Sequence, residues 1–280
     1  MRVLLLGARG LLGTALRRTQ PKDMEVHGFD RTELDITRYD QVSAALARVS
    51  PDVVVNTAAF TEVDRAESVP AEAFAVNASA VGNLGRLAAT SGIRVAHFST
   101  DFVFDGRKTR PYTEEDLAAP LNAYGASKRA GEVALEASGA SALLIRTQAV
   151  FGPAGRSFPG IMHARAAAGQ PSRVVADQVG RFTYSLDLAD AVWELLRLDA
   201  TGIVHIANAK EASWFEVAAT VYGAAGCPEL CTPCTTAEYP TPAVRPRYSS
   251  LCTARLEQLL RRPLPDWRIA LHRFLVDEAN

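Results

Sequence analysis

Val3-Leu4-Leu5-Leu6-Gly7-Ala8-Arg9-Gly10-Leu11-Leu12-Gly13 is the stretch whose reading decides the fold. Four apolar residues without polar alternation read as a short strand buried on both faces, and the glycines that follow read as a tight turn opening a helix. Such a turn lets a pyrophosphate approach backbone N–H groups at the positive end of the helix. Gly7, Arg9, Gly10, Leu11, Leu12 and Gly13 are therefore the expected dinucleotide cradle, with spacing Gly-x-x-Gly-x-x-Gly rather than Gly-x-Gly-x-x-Gly.

Working outward, strand and helix patterns alternate. Apolar runs at residues 3–6, 24–29, 53–56, 93–99 and 143–146 are separated by helical patterns at 11–19, 39–49, 71–91 and 122–138. This alternation predicts an α/β, doubly wound parallel sheet of Rossmann type, whose ligand lies beyond the carboxyl ends of the strands. Residues 1–150 are the expected dinucleotide-binding domain. Residues 151–280 read as a mixed segment that completes the sheet and forms a smaller C-terminal substrate-binding lobe, with helices expected near 158–168, 186–199, 214–224 and 266–276.

Composition narrows the function. The 280 residues carry 30 basic and 31 acidic side chains, a formal net charge of −1, so no global positive field favours nucleic acid or an anionic membrane. No apolar run reaches the roughly 20 residues of a membrane helix, and no signal-peptide cleavage pattern follows Met1-Arg2. A soluble, cytoplasmic protein is expected. Cys227, Cys231, Cys234 and Cys252 all lie in the last quarter, and the Cys-x3-Cys-x2-Cys run sits among prolines with no nearby histidine. Free thiols fit it better than zinc, an iron–sulfur cluster or a disulfide. The five histidines are scattered singly; Trp193 and Trp267 fall on apolar helical faces, and Trp214 begins a helix of the covering lobe.

Asp30 ends the second predicted strand, seventeen residues past Gly13, where a carboxylate would accept hydrogen bonds from the adenosine ribose. Arg31 and Arg9, in turn, suit a 2′-phosphate, because a guanidinium pairs with phosphate in bidentate fashion. NADPH and NADH both remain open. Tyr124-Gly-Ala-Ser-Lys128 puts a phenol and an ammonium on one face of a helix, and the cation is expected to favour the phenolate. Ser99-Thr100-Asp101 ends the fourth strand, at the sheet edge where such folds carry their site.

These residues, with Leu34-Asp35-Ile36-Thr37, the run from Asn56 to Glu67, the run from Ser99 to Gly106, Ala123 to Lys128, Asp177-Gln178-Val179-Gly180, Ser213-Trp214 and Pro240-Thr241-Pro242-Ala243, follow one family in order over nearly the whole length. The chain resembles the extended short-chain dehydrogenases/reductases and, within them, the dTDP-4-dehydrorhamnose reductases. The resemblance implies that Asp35 and Ile36 contact the adenine, that Ala58, Ala59 and Thr61 line the cofactor groove, and that Thr100, Tyr124 and Lys128 form the catalytic triad. It implies that Val63, Asp101 and Phe102 face a nucleotide-linked 4-ketosugar. The reaction implied is hydride transfer to the sugar C4 ketone, with Tyr124 protonating the alkoxide, Thr100 hydrogen-bonding it and Lys128 holding the nicotinamide ribose.

Departures from the family pattern qualify the substrate. Phe102 stands where many members have Tyr, and Ala149 stands where the family usually has Trp near the substrate, so either another side chain, Phe151 or Phe158, is expected to supply that contact or a bulkier substrate fills the space. Ala15 lacks the Glu that some members use for a metal between subunits, so no metal is expected; a homodimer is compatible with the sequence. Phe102 also follows Asp101 where sugar-nucleotide dehydratases carry a second acid, which argues against dehydration. A 4-epimerase, which would retain its nicotinamide through the cycle, and a non-catalytic subunit resembling the regulatory subunit of methionine adenosyltransferase are the competing readings.

Overall fold

The computed structural model describes residues 1–278, so the last two positions of the expected second segment lie outside the described residues. The predicted strands appear as β1 (Arg2–Leu6), β2 (Glu25–Phe29), β3 (Val53–Asn56), β4 (Arg94–Thr100) and β5 (Ala142–Thr147). The helices of this half are α1 (Leu11–Arg18), α2 (Tyr39–Val49), α3 (Val63–Ser68), α4 (Pro70–Phe74), α5 (Ala80–Thr90) and α6 (Ala123–Ala137). The second half contributes β6 (Val150–Phe151), α7 (Phe158–Ala167), β7 (Ser172–Val175), β8 (Val179–Gly180), β9 (Thr183–Tyr184), α8 (Ser185–Arg197) and β10 (Gly202–His205). It ends with β11 (Ala212–Ser213), α9 (Trp214–Ala224), β12 (Cys231–Cys234), α10 (Ala254–Leu260) and α11 (Trp267–Glu278).

Six strands form one parallel sheet in the order β10-β5-β4-β3-β1-β2. The chain leaves β1 toward β2 on one side and returns to β3 on the other, so the carboxyl ends of β1 and β3 diverge into a crevice. Side chains alternate across the sheet. Val3, Leu5, Val53, Val55 and Ile145 pack with Leu16, Leu188 and Trp193 on one face, whereas Leu4, Leu6, Val54 and Val95 pack with Leu46, Leu84 and Leu135 on the other. Both faces are thus covered, which is why these strands read as continuous apolar runs. The lobe has its own core, with Phe151, Phe182, Tyr184, Val217, Val221, Trp267 and Phe274 at its centre.

Two local features depart from the sequence reading. The helix expected over residues 71–91 is interrupted by a wide π turn at Ala75–Ser79 between α4 and α5. Its Asn77 side chain exchanges 2.9 Å hydrogen bonds with the Phe60 backbone and donates to Ser127 Oγ at 3.0 Å. The Asn77 carbonyl lies so near Gly131 of α6 that a Cβ there would be 2.0 Å from it, so the turn bulges to let the two helices meet. The short helix α10 and strand β12 were not anticipated. Cys231 and Cys234 lie buried in β12, beside β7, and all four cysteines are free thiols.

Candidate active site

A cavity of about 840 Å³ opens at the carboxyl edge of the sheet, under the lobe. Its lining includes every catalytic, cofactor and substrate residue expected from the sequence except Gly13 and the rings proposed to replace a Trp at 149, Phe151 and Phe158. Gly13 works from behind: a Cβ there would stand 2.2 Å from the Gly7 carbonyl, so its role is to let α1 pack onto the turn. Gly7 has φ 79°, and a Cβ on it would lie 2.7 Å from Thr57 Oγ1 and 2.8 Å from the Ala58 amide. The turn is therefore a cradle in which bare backbone faces the crevice between β1 and β3, at the N-terminus of α1. A dinucleotide pyrophosphate fits that chemistry.

Asp30 does more than the sequence indicated. Its Oδ1 accepts from the Thr32 hydroxyl at 2.6 Å, the Thr32 amide at 2.8 Å and the Glu33 amide at 3.1 Å, closing the turn after β2. Its Oδ2 pairs with Arg9 Nε at 2.8 Å. The Thr32 hydroxyl above all, with the adjoining amides and Arg9 assisting, holds the carboxyl below its usual range. Arg9 bridges the glycine turn to Asp30 and remains largely open to solvent, while Arg31 lines the cavity beside Asp35 and Ile36. Asp35 shapes the next turn, with Oδ1 accepting from the Thr37 amide and hydroxyl at 2.9 and 2.7 Å.

At the centre, β4 delivers Thr100 and Asp101, and α6 delivers Tyr124 and Lys128. Asn122 starts α6 because its side chain caps the Gly125 amide at 2.7 Å. Gly125 is required there, since a Cβ would lie 2.1 Å from the Phe102 carbonyl. Lys128 is only 2% exposed, and its Nζ donates to the Phe98 carbonyl at 2.5 Å. Burial lowers its pKa to about 8, against a raising influence from Glu132 one turn further on. Glu132 is itself clamped by two bonds from buried Arg146, at 2.9 and 2.8 Å.

The phenol differs from expectation. The Tyr124 pKa is raised to about 12 by burial, with the Asp101 charge adding to that and the Thr100 hydroxyl opposing it. In the protein by itself, desolvation outweighs any help the phenolate receives from Lys128. Thr100 also differs: its Oγ1 donates to Asp101 Oδ1 at 3.0 Å and accepts from the Phe102 amide at 3.2 Å. Its proton is turned toward Asp101. Phe102 packs edge-on against Tyr124, with ring centroids 6.0 Å apart.

The lobe wall was the part least anticipated. Neither Phe151 nor Phe158 reaches the cavity: Phe151 is buried against Tyr184 and Phe274, and Phe158 stands behind Trp214. The apolar wall is made by Phe182 and Trp214, packed edge to face at 5.0 Å. Arg156, Gln178, Arg181, Pro246 and Ser249 also line it. The Asp177–Gly180 and Ser213-Trp214 motifs were the sequence signals for two of these segments. Arg156 and Ser249 lay in no motif. Among the described residues there is no group of three His, Cys, Asp or Glu side chains able to hold a metal, and no helix long and apolar enough to cross a membrane.

A parallel sheet with a glycine turn at its switch point and a Tyr-x-x-x-Lys pair beside the end of β4 defines the class: an extended short-chain dehydrogenase/reductase fold. The family model described as the RmlD substrate binding domain matches residues 1–280, and the chain belongs to that family. It is 36% identical over 286 residues to a dTDP-4-dehydrorhamnose reductase of Sinorhizobium fredii, covering 98% of this chain and 97% of that one. It is 40% identical over 286 residues to a probable dTDP-4,6-dihydroxy-2-methyloxan-3-one 4-ketoreductase of Streptomyces antibioticus, covering 99% and 95%. Among solved structures, a dTDP-4-dehydrorhamnose reductase from Bacillus anthracis, in complex with NADP, superposes with a TM-score of 0.94 at 32% identity over 99% of both chains.

Proposed function

We propose that this protein is an NADPH- or NADH-dependent reductase of the C4 ketone of a dTDP-linked deoxysugar, converting dTDP-4-dehydrorhamnose to dTDP-rhamnose. The observation that carries the reading is the convergence of Thr100, Tyr124 and Lys128 on one cavity with the glycine cradle, without a second acid after Asp101. Reduced nicotinamide, when bound, supplies the hydride for the carbonyl carbon. Tyr124 gives its phenolic proton to the carbonyl oxygen as negative charge develops there. Lys128, fixed by the Phe98 carbonyl and drawn toward its charged form by Glu132, offers its remaining N–H donors to a ribose. The glycine cradle and the Asp30–Ile36 turns take the adenosine diphosphate half, and Arg156, Phe182 and Trp214 take the sugar nucleotide.

In this reading residues 1–150 hold the dinucleotide, residues 151–280 complete the sheet and close over the sugar, and the enzyme works as a cytoplasmic homodimer without a nucleic-acid partner. The near-zero net charge supports the last point. The test incubates the protein and each reduced cofactor with a panel of nucleotide-linked 4-ketosugars, and identifies products by mass and stereochemistry. Cofactor oxidation with formation of dTDP-rhamnose is expected; no oxidation with any ketosugar defeats the proposal. Retention of tightly bound cofactor with interconversion of C4 epimers would instead identify an epimerase.

A further inference from the structure

Residues 241–250 form a strap between the lobe and the first half of the chain. On the lobe side, the Val179 amide donates to the Arg247 carbonyl at 2.8 Å, the Ser249 amide donates to the Val179 carbonyl at 3.0 Å, and the Tyr248 hydroxyl donates to Glu211 at 2.6 Å. On the other side, Asn122 Nδ2 donates to the Val244 carbonyl at 2.8 Å, the Tyr112 amide to the Ser250 carbonyl at 2.8 Å, and Ser249 Oγ to Asp101 Oδ2 at 2.5 Å. Pro246 is seated on Gly106, where an added Cβ would come within 2.5 Å of the proline Cβ. Pro246 and Ser249 both line the cavity.

A charged clasp fastens this strap to α3. Arg245 Nη1 donates to Asp64 Oδ1 at 3.0 Å and Nη2 donates to Oδ2 at 2.8 Å, a bidentate fork. The Ala243 amide adds a bond to Asp64 Oδ1 at 3.1 Å. Arg245 Nη1 also reaches Thr241 Oγ1 at 2.6 Å and the Ala243 carbonyl at 3.0 Å, so the guanidinium folds the start of the strap while it holds the helix. Neither Asp64 nor Arg245 lines the cavity, but a chain neighbour of each does: Val63 precedes Asp64, and Pro246 follows Arg245. The clasp therefore joins two pieces of cavity wall that come from distant parts of the chain.

We propose that Asp64 and Arg245 are a positioning pair for the sugar nucleotide: the clasp fixes the separation of Val63 and Pro246 and so sets the affinity for the nucleotide-linked sugar without touching it. The inference rests on the reading of Val63 and Asp101 as the sugar side of the cavity. The ring of Pro246 locks its own φ, so a displacement of Arg245 is carried into the wall rather than absorbed at the next residue. The cofactor cradle is built from other pieces, the turn between β1 and α1 and the turns after β2, and should not feel the clasp. The Asp64 side chain is 42% exposed and that of Arg245 21%. A pair this open adds little to global stability, so opening it should be felt in the cavity and not in folding.

The experiment measures kcat and KM for dTDP-4-dehydrorhamnose, with the dissociation constants of dTDP and NADPH, in Asp64→Ala, Arg245→Ala and the double variant. Each single variant should raise KM and the dTDP dissociation constant about tenfold, the size of a charged hydrogen-bonded fork. Turnover and NADPH affinity should stay within about twofold of the parent. Because either substitution opens the same clasp, the double variant should bind no worse than the weaker of the two single ones. Arg245→Lys keeps the charge and loses the fork, so it should fall between parent and Arg245→Ala. An unchanged KM in the folded variants overturns the proposal. So do losses of kcat or NADPH affinity as large as the loss in KM, which would mark a general loosening, and additive losses in the double variant, which would mark a separate contact of Arg245 with the nucleotide. If an alanine variant does not fold, Arg245→Lys carries the test, and parental KM and dTDP affinity in it overturn the proposal. A parent that binds dTDP but reduces no ketosugar defeats the functional reading alone, since the dTDP titration still decides the clasp; a parent that does neither defeats both.

Discussion

The wall of the cavity built from the first 150 residues and the wall built by the lobe differ in how far apart in sequence their residues lie. In the first, each contributing piece is a few consecutive residues at the end of a strand or the start of a helix, and several of its polar groups are satisfied within that piece: Asp30 by Thr32 and Glu33, Asp35 by Thr37, Thr100 by Asp101 and Phe102. In the second, the partners are remote. Arg181 reaches Thr253, and Phe158, Phe182 and Trp214 meet from three separate elements. A wall of local motifs suits a cofactor common to many enzymes, and a wall of long-range contacts can change its substrate by altering single side chains.

The comparison predicts that substitutions in the motif wall change chemistry or cofactor binding. The largest effect is expected at Tyr124. Tyr124→Phe keeps the ring packed against Phe102 and removes the proton, so turnover should fall on the order of 10²-fold or more with cofactor affinity retained. Steady-state kinetics beside a cofactor titration measure both. Near-parental turnover in the folded variant would remove Tyr124 as the acid.

Lys128 separates stability from function within the same wall. Burial lowers its pKa to about 8 from 10.5, so between these values the unfolded chain holds a proton that the folded protein has released. Stability from this group therefore rises as pH climbs from about 8 toward 10.5, and at neutral pH the buried ammonium is a cost. Lys128→Met should be more stable than the parent at pH 7, on the order of 2 kcal/mol, with the advantage shrinking by pH 10. Cofactor binding and rate should both suffer. Urea midpoints at the two pH values give the answer, and a difference that does not change with pH contradicts the linkage.

The motif wall was legible for a physical reason. Backbone turns, caps and Tyr-x-x-x-Lys spacing are short-range constraints, and each leaves its mark within a few residues: Gly7 at positive φ, Gly125 against Phe102, Asn122 capping α6. The Arg9–Asp30 pair and the Thr100–Asp101 direction could not be read, because they depend on where side chains point after two strands are juxtaposed. The lobe was less legible still. Phe151 and Phe158 were the nearest aromatics in sequence to Ala149, yet Phe151 is taken up by the lobe core, and the cavity surface falls to Phe182 and Trp214. Nearness along the chain has little bearing on which ring faces a cavity between two lobes.

A third test concerns the adenosine end. Asp30 holds Arg9, and Asp30→Ala would release that guanidinium for a 2′-phosphate while removing an acceptor for ribose hydroxyls. NADH should weaken more than NADPH, with the ratio of dissociation constants shifting about tenfold, the size of one charged hydrogen bond. Fluorescence titration of both cofactors reads the ratio, and equal losses would confine Asp30 to shaping its turn.

The smallest effects are expected at Ala149, where they sharpen the contrast most. Ala149 has φ 42°, a left-handed conformation that costs a residue with a Cβ about 1 kcal/mol. Its neighbours hold it there: Gln148 is tied to Asp101 and Leu251, and the Ala149 carbonyl accepts from the Thr183 amide at 3.3 Å. Ala149→Gly should relieve that strain, offset in part by glycine's greater chain entropy, for a net stabilisation below about 1 kcal/mol, with cofactor affinity unchanged. Ala149→Trp tests the substrate. Phe182 and Trp214 already provide an apolar wall, so an indole at 149 is superfluous for the ordinary sugar, and KM for dTDP-4-dehydrorhamnose should change less than about tenfold. If the small side chain instead makes room for a bulkier sugar, the indole will abolish turnover of that larger substrate while NADPH still binds. Activity of the parent on the ordinary ketosugar, together with its survival in Ala149→Trp, would show that the lobe wall was rebuilt from different residues around the same substrate. Loss of that activity in a folded, NADPH-binding Ala149→Trp would mean that the wall was opened for another.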